Sequence, residues 1–149
     1  MSAGFVLPTL RAMQTISPPQ AFVDQLTARN FEQLARTLAP DVVARFLLPR
    51  GTDEAVGARA VARRLEGWFG SAWGFTVLTT DAEQVGRRWL LRWKLRMSRD
   101  GKSTELIEQV AFVDEGPAGI SRLDLLCSGF LPDPCSYGSE VCSLEDRQR

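Results

Sequence analysis

Two carboxylates, Glu108 and Asp124, have the surroundings in this sequence that best suit chemistry. Glu108 stands in a run in which Leu106, Val110 and Phe112 share its side, so a pleated strand would set it in an apolar row. A carboxyl group desolvated in this way has a raised pKa and suits general acid or base catalysis near neutral pH. The alternative is a position at the rim of a cavity, or a charge pair with Arg92 or Lys94 across the hairpin.

Asp124 lies near the middle of the last predicted strand, with Ile120, Arg122 and Leu126 on its side. If Glu108 and Asp124 both face inward, they form a carboxylate pair that can divide the acid and base roles. The alternative is a plain ion pair, because Arg122 is two residues away on the same side and can neutralise Asp124.

A guanidinium and several aromatic rings are the candidate ligand contacts. Arg45 interrupts an apolar run over residues 41–48, and a buried guanidinium needs a carboxylate or an anionic ligand. It could hold a substrate carboxylate or enolate, or it could bridge to a neighbouring acid. The tryptophans, Trp73 among them, could line the site of an aromatic ligand, or they could simply pack in the core. We expect ligand contacts from Arg45, Trp68, Trp89, Trp93, Phe112 and Arg122.

The sequence contains no histidine, and this excludes several kinds of site. A cysteine–histidine mechanism at Cys127 is impossible, and a buried cysteine more often packs as a small hydrophobic residue. Cys135 and Cys142 do not match zinc-ligand spacing and have no histidine partners. We therefore expect no metal and no cofactor.

Composition indicates one globular domain of 149 residues, with 44% apolar and 24% charged residues and a formal net charge of zero. This charge gives no bulk attraction to nucleic acid or to an anionic membrane. No apolar run approaches the ~20 residues that span a bilayer, and no signal peptide is apparent. Three cysteines fit a reducing cytoplasm. Seven basic residues and one acid over residues 87–102 predict charge pairing with the next, acidic strand.

Three successive predicted strands include both candidate carboxylates. Residues 87–99 alternate almost perfectly between apolar and charged, and Asp100-Gly101 predicts a tight two-residue hairpin turn. Residues 103–113 form the second strand, residues 114–119 the second turn, and residues 120–130 the third strand.

Earlier residues predict three helices and two further strands. Ser17 and Pro18 start the first helix, and Asn30 with Gln33 starts a second helix that Pro40 ends. Strands are expected over residues 41–48 and 75–85, and a third helix follows Gly57. The predicted order is α-α-β-α-β-β-β-β, an α+β fold in which three helices cover the concave face of a cone-shaped, curved antiparallel or mixed sheet. Residues 1–16 would be a loose arm, 17–131 the domain and 132–149 a polar tail.

This order, with the closing run Gly119-Ile120-Ser121-Arg122-Leu123-Asp124-Leu125, resembles the nuclear transport factor 2-like superfamily, and within it the SnoaL-like group of small bacterial proteins. The resemblance covers residues 18–131. It implies a conical cavity for a small apolar or aromatic molecule, a homodimer formed through the sheet, and a cavity position for Asp124.

For activity, the resemblance implies a cofactor-independent isomerase, cyclase or lyase that uses carboxylate acid–base chemistry. The alternative is a noncatalytic ligand-binding or dimerisation module of the same fold. The missing histidine excludes a histidine–aspartate dehydratase mechanism. The one tyrosine, Tyr137, falls in the predicted tail, which excludes a tyrosine-based oxyanion hole of the isomerase kind unless the tail folds over the cavity. A third possibility is a protein–protein adaptor that uses Arg92, Lys94 and Arg96 on the exposed face of the sheet.

Overall fold

The computed structural model describes residues 16–134, which form three helices and seven strands. In chain order these are α1 (Pro18–Thr27), α2 (Phe31–Arg36), β1 (Leu38–Leu48), β2 (Gly51–Val56), α3 (Ala58–Phe69), β3 (Trp73–Val85), β4 (Arg88–Ser98), β5 (Glu105–Gly116), β6 (Gly119–Cys127) and β7 (Leu131–Pro132). The predicted α+β fold is confirmed. Strands β2 and β7 were not predicted.

The first two helices begin where their capping residues predict. The Ser17 hydroxyl accepts a hydrogen bond from the Gln20 amide at 3.4 Å, and the Asn30 side chain accepts one from the Gln33 amide at 3.2 Å. The predicted end of the second helix at Pro40 is wrong. Helix α2 ends at Arg36, and Pro40 lies inside strand β1.

The strands form one curved, mixed sheet in the order β2-β1-β6-β5-β4-β3, with β7 paired to β5 beyond the end of β6. All neighbouring strands are antiparallel except β1 and β6, which are parallel. The sheet closes on itself at neither edge. Strand β7 continues the pairing past residue 131, and the side chain of the next residue, Asp133, is buried.

The helices pack on one side of the sheet, which we call the inner face. The core there is built from helix side chains such as Phe22 and Phe69 and from alternate residues of the strands. Four of its largest members, Trp93, Phe22, Phe46 and Phe69, are 0–1% exposed. Side chains of the opposite parity, on what we call the outer face, have no helix over them and contact solvent.

Arg29 joins two of the helices to the sheet. Its backbone is left-handed, with φ of 54°, at the turn between α1 and α2. Its guanidinium donates to the carbonyls of Phe69 at 3.4 Å and Ala72 at 2.8 Å, and it lies 4.7 Å from the ring centre of Phe75. These contacts satisfy the carbonyl of the last α3 residue, Phe69, which has no partner within the helix, and that of Ala72 in the turn that leads to β3. None of the three described helices combines the length and apolar character needed to cross a membrane.

Candidate functional site

The β4–β5 hairpin decides which side chains face the core. A two-residue turn at Asp100-Gly101 would pair Trp93 with Glu108, whereas the structure pairs Trp93 with Gln109. The connection is longer than predicted, because Asp100 organises it. Its carboxylate accepts hydrogen bonds from the Lys102 amide at 2.8 Å and the Ser103 amide at 2.9 Å. A shift of one residue moves every side chain of a strand to the other face.

Glu108 therefore lies on the outer face and is exposed, opposite Lys94 of the neighbouring strand. The prediction that it is desolvated is wrong. Leu106, Val110 and Phe112 do share its face, but that face is the one without helices. The position next to the core is taken by Gln109, which is fully buried.

Asp124 also lies on the outer face, partly buried in a network of charges. Its Oδ2 accepts hydrogen bonds from Arg88 Nη2 at 3.2 Å and Arg122 Nε at 3.1 Å. Arg88 Nε in turn donates to Asp114 Oδ1 at 2.6 Å. The bond to Asp114 is the main reason that the pKa of Arg88 is raised, and desolvation opposes it. The inward pair of Glu108 and Asp124 is not formed, whereas the simple ion pair with Arg122 is.

The six predicted ligand contacts are divided by the sheet. Trp93 is a core residue, 1% exposed, and Trp68 and Trp89 are partly buried against the same core. Trp68 packs edge-to-face on Phe46, with ring centres 5.4 Å apart. Arg45, Phe112 and Arg122 are exposed on the outer face, so the sheet separates them from the tryptophans.

The buried Gln109 side chain connects Trp93 to Cys127. Trp93 Nε1 donates to Gln109 Oε1 at 2.7 Å, and Gln109 Nε2 donates to Cys127 Sγ at 3.2 Å. The Gly129 amide also donates to that sulfur, at 3.3 Å. Cys127 is 8% exposed and packs in the core, as expected of a small hydrophobic residue. Each polar side chain in this network has a hydrogen-bond partner, so the network stabilises the interior.

The outer face has a contiguous apolar centre that the sequence analysis did not predict. Leu47, Leu126 and Val110 lie side by side on β1, β6 and β5, and Phe112 and Leu90 lie side by side in the adjoining row. Three of these, Leu47, Leu126 and Phe112, are 43–53% exposed. We call these five residues the apolar patch. Its sequence signal is consecutive apolar residues at 46–48 and 125–126, which indicate strands that are apolar on both faces.

Charged side chains of both signs surround the apolar patch. In the strand pairing Arg45 lies beside Asp124, Asp81 beside Arg92, and Glu108 beside Lys94, so each cation neighbours an acid. The predicted cross-strand charge pairing is thus present in the register. The outer face therefore has little net charge of its own.

Two pockets lie elsewhere on the surface. One, of about 420 Å³, is formed by the β4–β5 loop with Phe130 and Pro132. The other, of about 1010 Å³, is an open groove between α2 and α3. Neither is lined by any of the eight predicted site residues.

Within residues 16–134, no three Cys, Asp or Glu side chains lie together as a metal ion requires. Cys135, Cys142, Tyr137 and most of the predicted arm and tail lie outside the described residues.

Solved structures share this fold at low sequence identity. A candidate polyketide cyclase from Xanthomonas campestris is 18% identical, with a TM-score of 0.58 over 73% of this chain and 86% of that chain. A hypothetical protein with a ketosteroid isomerase-like fold from Catenulispora acidiphila, in complex with trimethylamine, is 13% identical, with a TM-score of 0.58 over 70% of this chain and 80% of that chain. An LEH-like epoxide hydrolase from M. tuberculosis is 18% identical, with a TM-score of 0.56 over 89% and 92%.

No curated protein matches this chain in sequence. A family model does match, and it spans residues 20–115, which include most of α1, all of α2 and α3, and the strands from β1 to most of β5. The chain belongs to the SnoaL-like domain family.

Proposed function

We propose that this chain is a noncatalytic dimerisation module whose outer sheet face binds a second copy of itself. The observation that carries the proposal is the apolar patch, with Leu47, Leu126 and Phe112 exposed at 50%, 53% and 43% on a face without helices. An apolar centre inside a charged rim is the usual anatomy of a protein–protein interface.

A second copy is the occupant that the charges favour. A two-fold interface places the same patch on both sides, so a strongly charged face would repel itself. Here the cations Arg45 and Arg92 alternate with Asp124 and Asp81. Rotation of one copy about a two-fold axis can therefore bring unlike charges together around the apolar patch.

The two predicted catalytic carboxylates belong to this face. Asp124 is already engaged by two arginines, and Glu108 stands opposite Lys94. A proton-transferring carboxyl group works best in a desolvated site that also holds the substrate. On the outer face of one chain these groups have no such surroundings, which favours a structural role in the rim of the interface.

The test replaces Leu126 with aspartate at the centre of the apolar patch. Each copy would then bury one unpaired charge. At about 1.4 kcal/mol per copy, the two copies together should raise the dissociation constant of the dimer about 100-fold. Sedimentation velocity over a concentration series measures this. The matched control is Ile16→Asp, an exposed apolar residue before α1, 60% exposed, which should leave association unchanged. Equal effects of both variants would refute the proposed interface.

A second candidate function is the binding of a small aromatic molecule beside Trp68 and Trp89. Both rings lie on the helix side of the sheet and remain partly exposed. Quenching of tryptophan fluorescence by 1-naphthol, compared between the wild-type chain, Trp68→Phe and Trp89→Phe, tests it. Saturable quenching that either substitution abolishes would support a ligand site there, and linear quenching in all three proteins would exclude one for this probe.

A further inference from the structure

Two antiparallel helices form the groove between α2 and α3, and contacts hold them at both ends. Two residues before α2, the Arg29 guanidinium donates to the carbonyl of Phe69, the last residue of α3, at 3.4 Å. A Cβ added at Gly57, just before α3, would lie 3.6 Å from the carbonyl oxygen of Pro40, which follows α2. The walls of the groove are therefore fixed, and the start of α3 lies beside the end of α2.

Four arginines and only two glutamates line this groove. Arg59 and Arg63 are one helical turn, about 6 Å, apart on α3, and both are exposed. Neither has an ion-pair partner among residues 16–134. Arg36, on α2, is held only loosely by Glu32, at 3.6 Å between exposed side chains. Like charges four residues apart on a helix repel each other, so carboxylates against Arg59 and Arg63 would stabilise both.

The charge is unevenly distributed along the groove. Arg59, at the start of α3, and Arg36, at the end of α2, make one end basic. Glu66 lies roughly 10 Å further along α3, toward the end that Arg29 closes. A nucleic-acid backbone carries only negative charge and would meet Glu66 unfavourably. The groove therefore matches a ligand that carries acids toward the basic end and tolerates a base beside Glu66.

The floor of the groove is apolar and shallow. It is formed by the methyl groups of Ala35, Ala58 and Ala62 with the ring of Phe31. The distance between two packed helices depends on the side chains at their contact, and short side chains let a third helix approach closely. At about 1010 Å³ the groove is at the upper limit for a small ligand and suits a segment of polypeptide.

We infer that the groove between α2 and α3 docks an acidic amphipathic helix of another protein, with carboxylates against Arg59 and Arg63 and short apolar side chains on the alanine floor. Carboxylates four residues apart on the incoming helix have the same spacing as the two arginines. An amphipathic helix laid in an apolar groove is a recurrent mode of peptide recognition, and arginine binds a carboxylate through two parallel hydrogen bonds.

The described helices of a second copy do not carry this pattern. Each of them has a single acid, Asp24 in α1, Glu32 in α2 and Glu66 in α3, and the last two line the groove themselves. This favours another protein as the source of the docked helix. The inference does not depend on the proposed dimer, because the groove belongs to the helix layer and the apolar patch to the outer face.

Fluorescence anisotropy with the full-length chain tests this docking. The probe is a fluorescein-labelled 15-residue peptide of alanine and glutamine with glutamate at its first, fifth and twelfth positions, so that acids and alanines share one helix face. It should bind saturably, and its dissociation constant should rise at least fivefold between 0.05 and 0.5 M NaCl, because salt screens exposed ion pairs. Arg59→Glu combined with Arg63→Glu should weaken binding at least tenfold. The matched control, Arg50→Glu in the exposed β1–β2 turn, should stay within twofold of the wild type.

Ala58→Leu separates docking in the groove from general attraction of an anion. It fills the floor without changing the charge, and it should weaken binding of the same peptide at least fivefold. Binding to Ala58→Leu that equals binding to the wild type would overturn the inference, since the contact would then depend on charge alone. Equal losses in Arg50→Glu and in the double arginine variant would overturn it as well.

Two further outcomes would assign the groove to a different occupant and so reject the acidic helix. The first is tighter binding of a 15-nucleotide single-stranded DNA than of the peptide, lost in the double arginine variant. The second is self-association of the wild-type chain that the double arginine variant abolishes and Leu126→Asp does not.

A peptide selection covers the case in which the probe sequence fits the groove poorly. The probe is displayed on phage with its groove-facing positions randomised, and the library is selected on the immobilised full-length chain. Sequences with two acids four residues apart should be enriched at least tenfold over the starting library, and selection on the double arginine variant should not enrich them. No enrichment of such sequences, or the same enrichment on both proteins, would contradict the inference.

Discussion

Replacing Gln109 with leucine tests the buried contact that the hairpin register creates. Gln109 Oε1 is the acceptor for the indole N–H of Trp93 at 2.7 Å, and both residues are at most 1% exposed. Leucine keeps most of the volume and removes the acceptor, so a buried donor loses its partner. Such a loss costs about 1–3 kcal/mol, and we expect a destabilisation of about 2 kcal/mol.

Urea denaturation at one fixed protein concentration measures the effect, because association changes apparent stability. For a slope of about 2 kcal/mol/M, the Gln109→Leu midpoint should fall by about 1 M. Trp93→Phe alone should also destabilise, because it leaves the glutamine oxygen unsatisfied. The double variant should lose at least about 1 kcal/mol less than the sum of the two single losses, since it removes both partners.

Two results would contradict the Trp93–Gln109 contact. The first is a Gln109→Leu midpoint equal to that of Gln84→Leu, a control at an exposed position of β3, where the change should stay within about 0.5 kcal/mol. The second is simple additivity in the double variant. Either would show that the side chain facing Trp93 is not Gln109, and the β4–β5 register would then be wrong.

Three further substitutions have definite expected outcomes. Gly67→Ala should raise stability by about 0.5–1 kcal/mol in thermal melts, since Gly67 lies inside α3 and an added Cβ meets nothing within 4 Å. Hydrogen bonds from the Ser103 and Lys102 amides lower the pKa of Asp100, so its contribution is present above about pH 4 and is lost as the pH falls further. Wild type should therefore lose more stability than Asp100→Asn between pH 5 and pH 2.5 in urea titrations, and equal losses would contradict this. Asp124→Asn weakens the contacts of two exposed arginines and should cost no more than about 1 kcal/mol in the same titrations.

Local signals in the sequence were sufficient for much of the fold. Ser17 and Asn30 act as caps because a side-chain oxygen can bond to a free amide two or three residues on, and this depends on nearby residues alone. The alternation of β4 was equally clear, because Trp93 and Leu95 are flanked by charges. Short elements such as β2 and β7 were not predictable, because β2 is polar and β7 contains a proline.

The candidate site could not be predicted in the same way. Strand β5 is apolar at both parities, with Ile107, Ala111 and Val113 on one side and Val110 and Phe112 on the other. Its inner side is chosen by the length of the β4–β5 loop, which the Asp100 side chain sets through hydrogen bonds that the sequence pattern does not show. One extra residue in that loop places Glu108 in solvent and Gln109 in the core.

If the outer sheet face joins two copies of the chain, the protein in solution is a dimer. Sedimentation equilibrium of the wild-type protein at micromolar concentration measures the mass of the particle. We predict a particle of about 33 kDa, twice the 16.5 kDa of one chain, that Leu126→Asp converts to single chains. A wild-type particle of 16.5 kDa up to the highest attainable concentration would show that the outer face does not bind a second copy.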